Sequence, residues 1–108
     1  HLPGFIERSK EIKEKGVDLI ACVSVNDPFV MKAWGEDRNV GEDVMMLSDG
    51  NGEFTAAIGL EMDGSGFGLG TRSQRYAMII DDGAVSVLNV EQGPGLDVSS
   101  ADTVLEQL

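Results

Sequence analysis

The sequence predicts an α/β sandwich in which a mixed sheet packs against helices. In the first half of the chain, helical patterns alternate with short apolar runs that are typical of buried strands. In the last third, two strand-like runs flank Asp82-Gly83, a strong signal for an antiparallel hairpin. The length of 108 residues predicts one domain, over residues 1–108.

The first predicted elements alternate between helix and strand. Apolar residues recur at helical spacing over about residues 2–15, and Gly16 is a natural helix end. Residues 17–25 form an apolar run without clean alternation, which predicts a strand covered on both faces, as in a parallel sheet. Asp27 can cap a following helix, and Pro28 fits its first position.

The second half of the chain contains shorter elements. Ser99 and Asp102 predict a capping box for a final helix, and the glycine-rich residues 59–70 predict a loop. A short helix is expected near Phe54. The predicted strands cover residues 44–47, 75–81 and 84–90.

Composition limits the classes of partner. The formal net charge of −11 disfavours nucleic acid and anionic membranes, because both are bound by clustered Lys and Arg. No apolar run approaches the roughly 20 residues that span a bilayer. A single His argues against an internal zinc site or a Ser-His triad. We therefore expect no metal and no cofactor.

Cys22 is the only cysteine, so the chain cannot form an internal disulfide. It lies inside the apolar run before the polar turn at residues 26–27. A thiol in such a run is usually a small packed hydrophobe, and burial raises its pKa and makes it unreactive. The residues alone favour packing over a redox role.

Other residues leave two interpretations open. Arg72 and Arg75 stand at the start of a predicted strand. Either they are solvated, which the residues alone favour, or one of them stabilises an anion or thiolate, since arginine is a permanent cation with a rigid donor fork. Phe29 and Trp34 lie about one helical turn apart, which fits either core packing or an exposed protein interface.

Several segments follow one another in a specific order. They are "HLPGF" at 1–5, "ACVSVND" at 21–27, Trp34, "LSDGNGEF" at 47–54 and "RSQRYAMIIDDGAVSVLNVE" at 72–91. Together they resemble a type II (atypical, peroxiredoxin-5-like) peroxiredoxin of the redoxin superfamily. The resemblance covers the whole chain. It implies a thioredoxin-like fold, a sheet closed by a C-terminal hairpin and helix, and N-terminal strands that this chain lacks.

The resemblance also implies an antioxidant function in cell redox homeostasis. Such enzymes reduce hydrogen peroxide and alkyl hydroperoxides with a cysteine thiolate that passes through a sulfenic acid. Glutaredoxin with glutathione, or thioredoxin, is the expected reductant. A homodimer in the cytoplasm is expected, with a mitochondrion or plastid as the alternative compartment.

The site residues carried over from the resemblance are few. Arg75 matches the active-site arginine that stabilises the thiolate and the peroxide, and Cys22 matches the resolving cysteine of plant-like members. Asp27, Phe29 and Trp34 fall in a region that resembles the family's dimer surface. The peroxidatic cysteine is expected just upstream of His1, so the chain is expected to be an N-terminally truncated redoxin domain.

Two alternatives follow from the absence of that nucleophile in residues 1–108. One is a catalytically inactive, truncated peroxiredoxin-like chain that acts as a dimerisation or binding module. The other is a thioredoxin-like scaffold in which Cys22 is merely buried.

Overall fold

A computed structural model describes residues 1–108. The chain folds into two compact units. The central unit comprises residues 19–74, and the terminal unit comprises residues 1–18 and 75–108. In chain order the elements are α1 (Leu2–Glu7), α2 (Ser9–Glu14), β1 (Ala21–Ser24), α3 (Pro28–Asp37), β2 (Met45–Ser48), α4 (Glu53–Ala57), β3 (Glu61–Asp63), a 3-10 helix (Ser65–Phe67), β4 (Thr71–Ser73), β5 (Tyr76–Asp81), β6 (Ala84–Val90) and α5 (Ala101–Gln107).

The central unit is built around a parallel strand pair. β1 and β2 pair in register from Ala21 opposite Met45 to Ser24 opposite Ser48, and α3 connects them. This helix packs closely on β2 at Gly35, where an added Cβ would lie 3.0 Å from Cγ of Met46. The parallel pairing agrees with the predicted strand type.

Two predictions for the central unit need correction. β1 is shorter than the predicted strand over residues 17–25 and is not covered on both faces, since Ala21 is exposed and Cys22 is half-buried. Residues 59–70 are not a single loop, because β3 and a 3-10 helix lie within them. β3 pairs antiparallel with β4. Its Glu-Met-Asp sequence carries no local strand signal, so the pairing depends on the partner strand.

The terminal unit contains the hairpin and three helices. β5 and β6 pair antiparallel, and the turn residues Asp82 and Gly83 both have positive φ, 51° and 80°. These values explain the Asp-Gly sequence, because a two-residue hairpin turn of this kind strains most other side chains. The predicted hairpin is therefore confirmed.

The predicted helix over residues 2–15 is wrong in one respect. It is interrupted at Arg8, whose φ of −97° and ψ of 5° depart from helical values. The pattern still identifies the buried face, since Leu2, Ser9 and Ile12 are buried. Hydrophobic spacing reports which side of a segment is covered and cannot resolve a turn of one residue.

The final helix also differs at its start. Ser100, and not Ser99, is the N-cap of α5, and its side chain accepts a hydrogen bond from the amide of Thr103. Ser99 is fully buried and donates instead to the carboxylate of Glu91. None of the five α-helices has the length and hydrophobicity needed to cross a bilayer.

Candidate functional site

The carboxyl ends of β1 and β2 form a tightly hydrogen-bonded edge. Ser48 Oγ donates to the carbonyl of Asn26 at 2.5 Å, and the amide of Asp49 donates to the carbonyl of Ser24 at 2.9 Å. Asn26 Nδ2 donates to Ser24 Oγ at 2.8 Å. Ligands of α/β proteins commonly bind at this end of parallel strands, so the turn after β1 is a fixed part of the candidate site.

Arg72 holds the same turn from β4. Its Nη1 donates to the carbonyl of Val25 at 2.8 Å and to Oδ1 of Asn26 at 2.9 Å, while Nε donates to the carbonyl of Leu69 at 2.9 Å. The sequence alone favoured a solvated side chain for Arg72. That interpretation is wrong, because the side chain makes three hydrogen bonds within the protein. Its fixed donor fork serves three acceptors, of which those of Val25 and Asn26 lie 47 and 46 residues away in sequence.

Asp49 is a further structural residue, one that was not predicted from the sequence. Its Oδ1 accepts from the amide of Phe54 at 3.0 Å, and its Oδ2 accepts from the amide and hydroxyl of Thr55 at 2.8 and 2.6 Å. The hydroxyl of Thr55 and the two amides hold the pKa of Asp49 below its ordinary value. An Asp just before a short helix was the available signal.

Cys22 lies on β1, opposite Met46 of β2. It is a free thiol and is half-buried. Burial raises its pKa, because removing the sulfur from water disfavours the thiolate. The structure therefore does not give Cys22 the full exposure of a cysteine activated as a nucleophile.

Arg75 lies in the terminal unit, immediately before β5, and is exposed. Its Nη1 donates to the carbonyls of Pro94 and Gly95 at 2.8 and 3.0 Å. Its own carbonyl accepts from the amide of Glu91 at 2.9 Å. Both side-chain hydrogen bonds come from Nη1, which leaves Nε and Nη2 as donors that suit an anion.

A hydrogen-bonded polar group around Glu91, with Ser99 as its buried member, lies in the segment that carries those carbonyls. Glu91 Oε2 accepts from Ser99 Oγ at 2.5 Å and from the amides of Asp97 and Ser99, each at 2.8 Å. The hydroxyl of Ser99 and the amides hold the pKa of Glu91 below its ordinary value. Ser99 Oγ also hydrogen-bonds Nε2 of His1. The sequence carries no local signal for this group, because His1 and Ser99 are 98 residues apart in the chain.

The three predicted interface residues lie on α3 or at its start. Asp27 is the N-cap, and its Oδ1 accepts from the amide of Val30 at 2.8 Å. The side chain of Phe29 is 83% exposed, and Trp34 is half-buried. The helix instead buries Met31 and Gly35. Of the two interpretations left open by the sequence, core packing is excluded for Phe29.

No group of three or more His, Cys, Asp or Glu side chains is placed to hold a metal ion. What the chain offers chemically is one thiol, Cys22, and the exposed guanidinium of Arg75, which is anchored through Nη1 only.

Comparison with known proteins identifies the family. The redoxin family model matches residues 1–105. Peroxiredoxin-2B of Arabidopsis thaliana is 54% identical over 108 residues, which cover 100% of this chain and 67% of that protein. The chloroplastic Peroxiredoxin-2E of the same plant is 52% identical over 110 residues. The chain spans 47% of its length.

Solved structures agree with these matches. The crystal structure of reduced Prx3 from Vibrio vulnificus in complex with h2o2 has a TM-score of 0.95 and 61% sequence identity, and the match covers 100% of this chain and 69% of that one. The likeness confirms the predicted thioredoxin-like α/β class and the predicted resemblance. The chain therefore belongs to the redoxin family, and its relatives there are peroxiredoxins of type II.

Proposed function

We propose that the protein containing this chain is a thiol peroxidase that reduces hydrogen peroxide and alkyl hydroperoxides. The observation that carries the proposal is the likeness, over the whole chain, to a peroxiredoxin whose reduced form was solved in complex with h2o2. A peroxidase needs a thiolate, a cation that stabilises it and a thiol that completes the cycle. Residues of this chain are candidates for the second and third of these.

The first step in this proposal is attack of a thiolate on the O–O bond. The sulfur gains one oxygen and becomes a sulfenic acid, while the other oxygen takes up a proton and leaves as water or an alcohol. We place the attacking cysteine just upstream of His1. Cys22 suits this step poorly, since burial raises its pKa and little thiolate exists near neutral pH.

Arg75 is the residue to which we assign electrostatic stabilisation. Its guanidinium is exposed and is fixed through Nη1 alone, so two donor groups remain for the thiolate and for the peroxide oxygen that becomes negative. A fixed cation of this kind lowers a thiol pKa and stabilises the leaving oxygen.

Cys22 is our candidate for the resolving thiol. Its sulfur would attack the sulfenic sulfur, forming a disulfide and releasing water. Glutaredoxin with glutathione, or thioredoxin, would supply the two electrons that return both cysteines to thiols. The raised pKa of Cys22 implies that this step is slow unless β1 loosens at its carboxyl end.

Peroxide consumption by the full-length protein with a thiol reductant tests the proposal. We expect turnover in the parent and a loss of about 10²–10³-fold in Arg75→Ala, the range measured when one preorganised donor is removed. Arg75→Lys keeps the charge without the donor fork and should lie between the two. Unchanged rates in both variants would remove Arg75 from the mechanism.

A second candidate function is supported by Phe29, whose side chain is 83% exposed at the first turn of α3. An exposed aromatic ring is typical of protein interfaces. On this proposal Asp27, Phe29 and Trp34 form part of a homodimer surface, and the chain serves as a dimerisation or binding module. A protein that dimerises but consumes no peroxide would favour this function over catalysis.

We propose the cytoplasm as the compartment, with a plastid or mitochondrion as the alternative. Related proteins include ones named chloroplastic and mitochondrial. A fluorescent fusion of the full-length protein, imaged with organelle markers, distinguishes these locations.

A further inference from the structure

The main chain between β6 and α5 is folded into a closed loop next to Arg75. One end is fixed where the amide of Glu91 donates to the carbonyl of Arg75, at 2.9 Å. The other end is fixed where Asp97 and Ser99 donate their amides to the Glu91 carboxylate, at 2.8 Å each. We call residues 91–99 the Glu91 loop. A single side chain, that of Glu91, closes it.

The carbonyls that hold Arg75 lie in the middle of this loop. Pro94 and Gly95 accept from Nη1 of Arg75 at 2.8 and 3.0 Å. Neither carbonyl belongs to a helix or a strand, so no regular hydrogen-bond ladder fixes its direction. Its direction depends on how the loop is closed.

We infer that Glu91 is a positioning residue for Arg75. By closing the Glu91 loop, its carboxylate directs two carbonyls at one guanidinium nitrogen and so orients the Nε and Nη2 donors.

Burial supports this role. Ser99, which donates to Oε2 of Glu91 from both its amide and its hydroxyl, is fully buried. The third donor, the amide of Asp97, reaches the same oxygen. Three hydrogen bonds to one carboxylate oxygen form a stronger closure than a neutral acceptor would provide, because bonds to an ionised group are shorter and stronger.

The need for such a device follows from the arginine side chain. Fixing a free arginine side chain costs rotamer entropy, and that entropy would have to be lost in each catalytic cycle. An exposed guanidinium without a fixed anchor samples many positions. Anchoring it beforehand is the preorganisation that electrostatic catalysis requires.

The inference rests on the proposed role of Arg75, so its test has one readout that does not depend on activity. In ¹H–¹⁵N spectra of the full-length protein, we expect the Arg75 guanidinium to show slowed rotation, because Nη1 is held by two carbonyls. Glu91→Ala should give fast rotation. Glu106→Ala removes an exposed carboxylate from α5 and should leave the Arg75 signals unchanged.

The rate of peroxide reduction then shows whether the anchoring of Arg75 contributes to catalysis. We expect Glu91→Ala to lower the rate about tenfold, within the ~10²-fold that a misplacement of about 1 Å can cost. In an Arg75→Ala background the same change should have no further effect, since residues that act as a unit are not additive. Glu91→Gln keeps an acceptor oxygen and should therefore retain part of the rate that Glu91→Ala loses. If Glu91→Ala does not fold, Glu91→Gln replaces it in both measurements.

The outcomes separate the two proposals. Unchanged guanidinium rotation in both Glu91 variants would overturn the inference, and so would an equal rate loss in the wild-type and Arg75→Ala backgrounds. If Arg75→Ala itself keeps full activity, the proposed function of Arg75 fails. Fast rotation in Glu91→Ala would then still support the anchoring of Arg75 by the Glu91 loop.

Discussion

At the scale of single residues, main-chain groups fix four charged side chains of this protein. Arg72 and Arg75 each donate to two backbone carbonyls, and Asp49 and Glu91 each accept from two backbone amides. Backbone groups are less mobile than long side chains. A charge held by them is therefore oriented more firmly than one held in a surface ion pair.

The raised pKa of Cys22 predicts slow alkylation of the folded protein. Each unit of pKa removes about tenfold of thiolate when the pH is below the pKa, and the thiolate is the reactive form. Iodoacetamide should label Cys22 more slowly in the folded protein than in urea at pH 7 to 8, and the two rates should converge at alkaline pH.

Mass spectrometry of the peptide that contains Cys22 measures this rate separately from that of any other cysteine. Cys22→Ser, which lacks the thiol, is the control that identifies the labelled peptide. Equal folded and unfolded rates at neutral pH would contradict the burial effect and would make Cys22 a readily available resolving thiol.

The lowered pKa of Asp49 predicts how the stability of the folded protein falls at acid pH. Its folded pKa lies below the ordinary value of 3.8, so the folded state binds the proton less readily than the unfolded state. Its contribution to stability is therefore complete above that value and is lost as the pH falls through the folded pKa. Glu91, whose pKa is also lowered, adds a loss in the same direction.

Urea titrations from pH 6 to pH 3 measure this dependence. Asp49→Asn should be less stable at pH 6, because an amide NH₂ would face one of the N–H donors now bound by the carboxylate. Its stability should also fall less steeply below pH 4. Glu53→Gln, an exposed neighbour on α4, is the matched control and should follow the parent. A variant slope as steep as the parent's would exclude Asp49 as a cause.

At the scale of elements, α3 contributes both to the stability of the fold and to the proposed interface. Its start is set by Asp27 and Pro28, and its buried face is set by Met31 and Gly35. Asp27 therefore has a local function, capping, that is independent of any partner. A loss of dimerisation in an Asp27 variant could arise from helix fraying alone.

Substitutions at Asp27 separate these two roles. Asp27→Ala should lower the free energy of unfolding by about 1 kcal/mol, since the Val30 amide loses its acceptor. Asp27→Asn should be nearly neutral, because asparagine caps as well as aspartate. Chemical denaturation of the full-length protein measures both. An equal loss in the two variants would show that the charge matters more than the cap.

At the scale of the whole molecule, the exposed aromatic residues are the features most relevant to assembly. The side chains of Phe29 and Phe67 are 83% and 88% exposed. Only Phe29 belongs to the region that resembles the family's dimer surface. The two residues therefore form a matched pair for testing self-association.

Phe29→Glu should shift the full-length protein towards monomer, because a charge buried in an interface without a partner is costly. Phe67→Glu makes the same chemical change at an equally exposed position and should leave the association state unchanged. Sedimentation velocity over a range of concentrations distinguishes the two. If Phe67→Glu dissociates the protein and Phe29→Glu does not, the interface includes the surface around Phe67 and not the surface around Phe29.

The sequence by itself determined the features that depend on neighbouring residues. The α3 cap at Asp27, the turn at Asp82-Gly83 and the parallel strands joined by a helix all follow from short patterns. The order of motifs along the chain also identified the family correctly. Local patterns suffice here because capping and turn geometry involve residues only a few positions apart.

Only the tertiary structure decided what the functional side chains contact. Arg75 meets carbonyls 19 and 20 residues away, Arg72 reaches back 47 residues, and His1 reaches Ser99 across 98. The pairing of β3 with β4, and the burial of Met31 in place of Phe29, likewise depend on distant segments. Periodicity shows that a face is apolar, but packing against the rest of the chain selects which residues are covered.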